Sequence, residues 1–152
     1  MAGIAGIAKN GAQKELEMML GTINYRGRSG KQIVEKDGIT AGIIWNEHED
    51  AGIREFLEKG EIGYRYGPGH YVRGIITNGQ IRIYRDELGV APLYYGKDRS
   101  GNMCFASEVK SLLKVTDNIL EVAPAHYLDA SGLTKFFALE TGKYFNRDPK
   151  EM

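Results

Sequence analysis

Residues 85–114 read RDELGVAPLYYGKDRSGNMCFASEVKSLLK. Two β-rich runs, PLYYGK and NMCFAS, flank a turn from Asp98 to Gly101, which predicts a strand pair. A short helix is expected from Ser107 (SEVKSLLK), with Ser107 suited to the N-cap. Cys104, the single cysteine, falls in a strand that reads as buried, so its thiol is expected to be packed rather than catalytic. Immediately upstream, HYVRGIIT and QIRIYRD alternate with period two around Asn78-Gly79. Asn-Gly between such runs is a strong hairpin signal, because both central residues of a type I′ turn need positive φ. Downstream, NILEVAPAHYLDASGLTKFF ends in another hairpin, turning at Ala130 to Gly132.

Toward the N-terminus, Gly3 to Ala8 reads as a strand, and Ala12 to Ile23 sets Leu16, Met19, Leu20 and Ile23 on one helical face. YRGRSGK, residues 25–31, is a Gly-punctuated basic loop. After it, QIVEKDGITAGIIW predicts two strands about the turn Lys36-Asp37-Gly38, with Trp45 in the core. AGIREFLEKG, from Ala51 to Gly60, reads as a helix closed by Gly60. The Gly- and Tyr-rich GYRYGPGHYVRG (63–74) fits either a docking or lid surface or a loop entering a strand. The class is α+β, with layered sheets and helices outside.

The 152 residues support one core. Twenty Lys and Arg offset twenty Asp and Glu, so no long-range field favours nucleic acid or an anionic membrane. The short apolar runs carry neither a membrane span nor a signal peptide, so a cytoplasmic protein is expected. One cysteine cannot form an internal disulfide, and His48, His70 and His126 are dispersed, so no metal site is expected.

The 85–114 stretch resembles the RDxxGxxPLYY…G…FASExKxLL core of the asparagine-synthetase-type glutaminase domain. VAPAHYLDASGLTKFF (122–137) is similar to the VPPGHYL…G segment that follows it, MAGIAGI (1–7) to the MCGIxGI start of class II glutamine amidotransferases, and YRGRSG to their RGxD loop. The resemblance implies an N-terminal-nucleophile hydrolase fold, an αββα four-layer sandwich, here shortened. It also implies glutamine as substrate, hydrolysed to glutamate and ammonia for a synthetase partner, with no cofactor. In such an enzyme, removal of Met1 exposes an α-amino group that serves as base for the side chain of residue 2. The resemblance further implies that Gly3 and Arg26 lie beside that residue as substrate-binding residues, Gly3 letting substrate approach the chain end and Arg26 orienting it.

This sequence departs from the pattern at the reactive position, where Ala2 has a methyl group in place of a thiol. A methyl group cannot attack an amide, so the thioester route is closed. The strand expected to supply a carboxylate-gripping Arg reads TAGIIW (40–45) and has none, and no SDxE-like element lies between Leu57 and His70. For the oxyanion-hole Asn, TNGQIRIY (77–84) has the position of a hairpin turn. WNEHED (45–50) has the better position, making Asn46 and Glu47 candidate substrate ligands without the Gly that completes the hole. Arg85 and Asp86 are expected to hold a sheet edge and loop together, and His48 to be solvated. No SGGxDS-type phosphate loop occurs, so residues 1–152 are read as a single glutaminase-like domain without an ATP-pyrophosphatase. Three functions remain open: a glutaminase domain inactive as written, a non-catalytic binding or regulatory module, and an amidohydrolase with another substrate.

Overall fold

The computed structural model describes residues 1–138. Its strands are β1 (Gly3–Ile7), β2 (Gly30–Lys36), β3 (Ile39–Trp45), β4 (Glu61–Arg65), β5 (Tyr71–Thr77), β6 (Gln80–Arg85), β7 (Tyr94–Lys97), β8 (Met103–Ala106), β9 (Ile119–Glu121), β10 (His126–Asp129) and β11 (Gly132–Lys135). The α-helices are α1 (Gln13–Gly21), α2 (Asp50–Glu58) and α3 (Val109–Leu112). The strands form two antiparallel sheets, one of six strands in the order β2-β3-β1-β8-β7-β9 and one of five in the order β11-β10-β6-β5-β4.

All five residues of β1 are buried, because the strand is central and covered on both faces. Its even-numbered residues and Ala2 turn toward the second sheet, where Ile4, Ile43, Trp45 and Phe105 meet Ile62, Tyr64, Val72, Ile83 and Leu128. Its odd-numbered Ala5 and Ile7 face Leu16, Met19 and Leu20 of α1 and Leu112 of α3. Gly6 is needed where Phe105 crosses β1, since an added Cβ would stand 2.2 Å from the ring. Two of the turns read from sequence take left-handed conformations at both central residues, with φ of 50° and 82° at Asp37-Gly38 and 51° and 77° at Asn78-Gly79.

Helices α1 and α3 lie on the outer face of the six-stranded sheet. Helix α2 instead inserts Ile53 and Leu57 into the core between the sheets and packs beside β4, closing one side of the sandwich. The chain is therefore the expected shortened α+β sandwich. Its shortening takes the form of a single outer helical layer among the described residues, with Arg73, Thr77, Gln80 and Arg82 of the second sheet exposed.

One local expectation is corrected. Ser107 does not cap α3, whose preceding residue is Glu108. The β1–β8 pairing stops at Ala5 and Ala106. Ser107 continues it by accepting from the Ile4 amide through Oγ (2.9 Å) and donating its own amide to the Ile4 carbonyl (2.9 Å). A buried backbone donor without a partner costs more than a cap contributes.

Candidate active site

Residue 2 sits where the chain enters the central strand. The Ala2 side chain is sealed in the inter-sheet core, with no exposed surface. Its amide donates to Glu49 Oε2 at 2.9 Å, and its carbonyl accepts from Arg26 Nη1 at 3.2 Å. The backbone of residue 2 is thus claimed on both sides.

The groups that hold it come from three loops. Arg26 lies in a 3-10 turn, Asn24–Arg26, after α1, and its Nε pairs with the Glu108 carboxylate, which also accepts from the Tyr25 hydroxyl. Burial works against the Arg26 charge, yet Glu108 outweighs it and raises the guanidinium pKa. Burial likewise opposes ionisation of Glu108, but Tyr25 and Arg26 draw its carboxyl below the usual range. The loop owes its glycines to Trp45: a Cβ on Gly27 would lie 2.2 Å from the Trp45 backbone nitrogen, and one on Gly30 2.0 Å from the indole ring. Gly3 is as confined, with Ile23 Cδ1 and Arg26 Cδ at 2.8 and 3.1 Å from an added Cβ.

Asn46 turns its side-chain amide away from solvent to donate to the Arg26 carbonyl at 2.9 Å. Its own backbone amide donates to Glu49 Oε1 at 3.1 Å, so one carboxylate ties the start of the Glu47–Glu49 turn to residue 2. Glu47 and His48 are exposed. The structure therefore gathers Ala2, Gly3, Arg26 and Asn46, and leaves Glu47 outside. Glu49, Ser107, Glu108 and Tyr64 were missed in the sequence. Ser107-Glu108 lies within the FASE motif but reads as a helix start. Glu49 stands three residues after Asn46, the spacing of a capping box, which was the available signal.

In the same inter-sheet core as Ala2, Tyr64 is buried and its hydroxyl has no hydrogen-bond partner among the described residues. Burial pushes its pKa up to about 12, against the nearby Arg26 charge. On β3, which pairs directly with β1, Gly3 faces Ile44 and Ile4 faces Ile43. No arginine stands on that strand. A cleft of about 560 Å³ lies elsewhere, between α2 and β4, lined by Phe56, Lys59, Arg65 and Arg73, with Arg73 already paired to Glu61 at 2.6 Å. Cys104 is buried and desolvation pushes its thiol up to about 12, which keeps it unreactive at neutral pH.

Two sheets with residue 2 leading into the central strand, flanked by an arginine loop and helices on the outer face, define a domain of the N-terminal-nucleophile amidotransferase class. The chain belongs to the glutamine amidotransferase domain family, whose profile matches residues 53–146. It is 46% identical over 46 residues to asparagine synthetase B [glutamine-hydrolyzing] of Escherichia coli (strain K12), a match spanning 30% of this chain and 8% of that protein. In fold it is similar to the glutamine phosphoribosylpyrophosphate amidotransferase of B. subtilis, complexed with ADP and GMP. That match has a TM-score of 0.61 and 15% identity, and covers 87% of this chain and 48% of the other. The matched regions thus span less than half the length of either relative.

Proposed function

We propose that this chain is a glutamine amidotransferase domain that does not hydrolyse glutamine as written and acts as a non-catalytic binding or regulatory module beside an ammonia-using synthetase. One observation carries this reading. Residue 2 is a sealed alanine whose amide is occupied by Glu49 at 2.9 Å, so the position that would attack substrate is built into the core. The Ile-rich β3 adds support, because it offers no cation for a substrate carboxylate beside that position. An amidohydrolase of other specificity meets the same obstacle at Ala2. The synthetase partner is suggested by the asparagine synthetase relative, whose length extends far beyond the matched domain. A cytoplasmic location fits a chain with one buried thiol and, among the described residues, no helix long and apolar enough to cross a membrane.

A second reading, a glutaminase disabled only at its nucleophile, is favoured by the Arg26 contact to the Ala2 carbonyl and by the close packing at Gly3. Titration with L-glutamine, followed by amide NMR shifts, separates the two. The non-catalytic reading expects no saturable shifts up to on the order of 1 mM, the upper end of ordinary KM values. Saturable shifts centred on Ala2, Arg26 and Asn46 would overturn it.

A further inference from the structure

Strand β2 ends the six-stranded sheet and has a free edge seven residues long. The other sheet edges are shorter or flanked: β9 has three residues, β11 four, and β4 lies beside α2. The two-residue turn at Asp37-Gly38 closes the β2–β3 hairpin on the pair Lys36–Ile39, which fixes the direction of each backbone group. Gly30, Gln32, Val34 and Lys36 turn their amides and carbonyls to β3, and Lys31, Ile33 and Glu35 turn theirs to the open side. Among the described residues, the Ile33 carbonyl there receives the Gln32 side-chain amide at 3.5 Å, a bond long enough to be displaced readily. A bare edge of this length is a template for another strand unless it is protected.

Natural edges are commonly blunted by lysines, which repel a second copy. Here the charges have opposite sign and stand symmetrically: Lys31 and Glu35 lie two residues either side of Ile33, the middle of Gly30–Lys36. We propose that two copies of this chain associate through their β2 edges, antiparallel and two-fold about Ile33, joining their six-stranded sheets into one. In that register Lys31 of each copy stands opposite Glu35 of the other, Gly30 opposite Lys36, and Gln32 opposite Val34. Ile33 meets its own counterpart, and the three residues with outward backbone groups fall opposite one another, as an antiparallel ladder requires. A shift by two residues keeps the ladder but separates Lys31 from Glu35. Both charged side chains are already held at exposed sites near α1, Lys31 Nζ by Glu17 at 2.8 Å and Glu35 by the Gly11 amide at 2.6 Å, so little further order is lost on pairing. Grooves of about 520 Å³ on the α1 side, containing Leu20 and Ile44, and about 340 Å³ on the α2 side, containing Val34 and Leu57, leave room for a neighbouring strand's side chains.

The test is sedimentation velocity and amide hydrogen exchange on the full chain between about 10 μM and 1 mM, at low salt. A concentration-dependent dimer is expected, and the Lys31, Ile33 and Glu35 amides are expected to exchange about tenfold slower at the upper end. Gln32 and Val34, already bonded to β3, serve as unchanged controls. Lys31→Glu and Glu35→Lys, each placing like charges opposite one another, are expected to weaken dimerisation about tenfold, and the double exchange to restore it. Unfolding transitions establish that each variant is folded. A monomer throughout, a dimer without protection at those three amides, single reversals without effect, or a double exchange that fails to restore association would each overturn the inference. None of these readouts depends on glutamine binding.

Discussion

At Gly27 the added Cβ of an alanine would meet the Trp45 backbone at 2.2 Å, and backbone inside a sheet cannot give way. Gly27→Ala is expected to lower unfolding stability by about 1–3 kcal/mol. Gly52, inside α2, has open space around its Cα, and Gly52→Ala is expected to raise stability by roughly 0.5–1 kcal/mol. Denaturant unfolding checks both, and equal effects at the two positions would contradict the packing described. The Arg26–Glu108 pair adds a pH signature. The Glu108 carboxyl lies below its ordinary value in the folded chain, so its contribution is present above the unfolded pKa of about 4.3 and is lost as pH falls through the lowered folded value. Glu108→Gln is expected to flatten the acid side of the stability–pH profile by one titrating group. An unchanged profile would show that Glu108 is not paired in solution.

Elements written in alternation or bounded by strong turns were legible from sequence. The hairpins at Asp37-Gly38, Asn78-Gly79 and Ala130–Gly132, the strand Gly3–Ile7 and the Leu16–Met19–Leu20 face all stand where their spacing puts them. The roles of Ser107 and Glu49 were not legible. Both satisfy backbone amides more than forty positions away, Ile4 and Ala2, and no local pattern encodes such a partner. The Arg85-Asp86 pair was legible in kind, since its expected role of tying a sheet edge to a loop is the one observed. Its contribution is large, because Asp86 serves four backbone donors. Asp86→Ala is expected to cost on the order of 3–5 kcal/mol and to loosen residues 87–91 first. Thermal unfolding and amide hydrogen exchange would read this, and a loss confined to the surface-pair range would contradict it.

For the whole molecule, the sandwich joins β3 to β4 through only a 3-10 turn and α2. Among the described residues, α1 and α3 form the outer helical layer and α2 packs against the inter-sheet core. Residue 2 is held at its carbonyl by Arg26 and leads into a strand paired with Ile43 and Ile44. On the proposed reading, the fold is kept without the catalytic apparatus that the resemblance implies, as is possible when function resides in a site grafted on a scaffold. The most direct measurement is glutamate release from glutamine by Ala2→Cys, with Met1 removal confirmed by intact mass, folding confirmed by its unfolding transition, and the Ala2 chain as blank. Release no greater than the blank is expected on the proposed non-catalytic reading, in which residue 2 is built into the core and β3 offers no cation for a substrate carboxylate. Thiol-dependent release above the blank would contradict it and would make Ala2 the sole lesion in a working glutaminase.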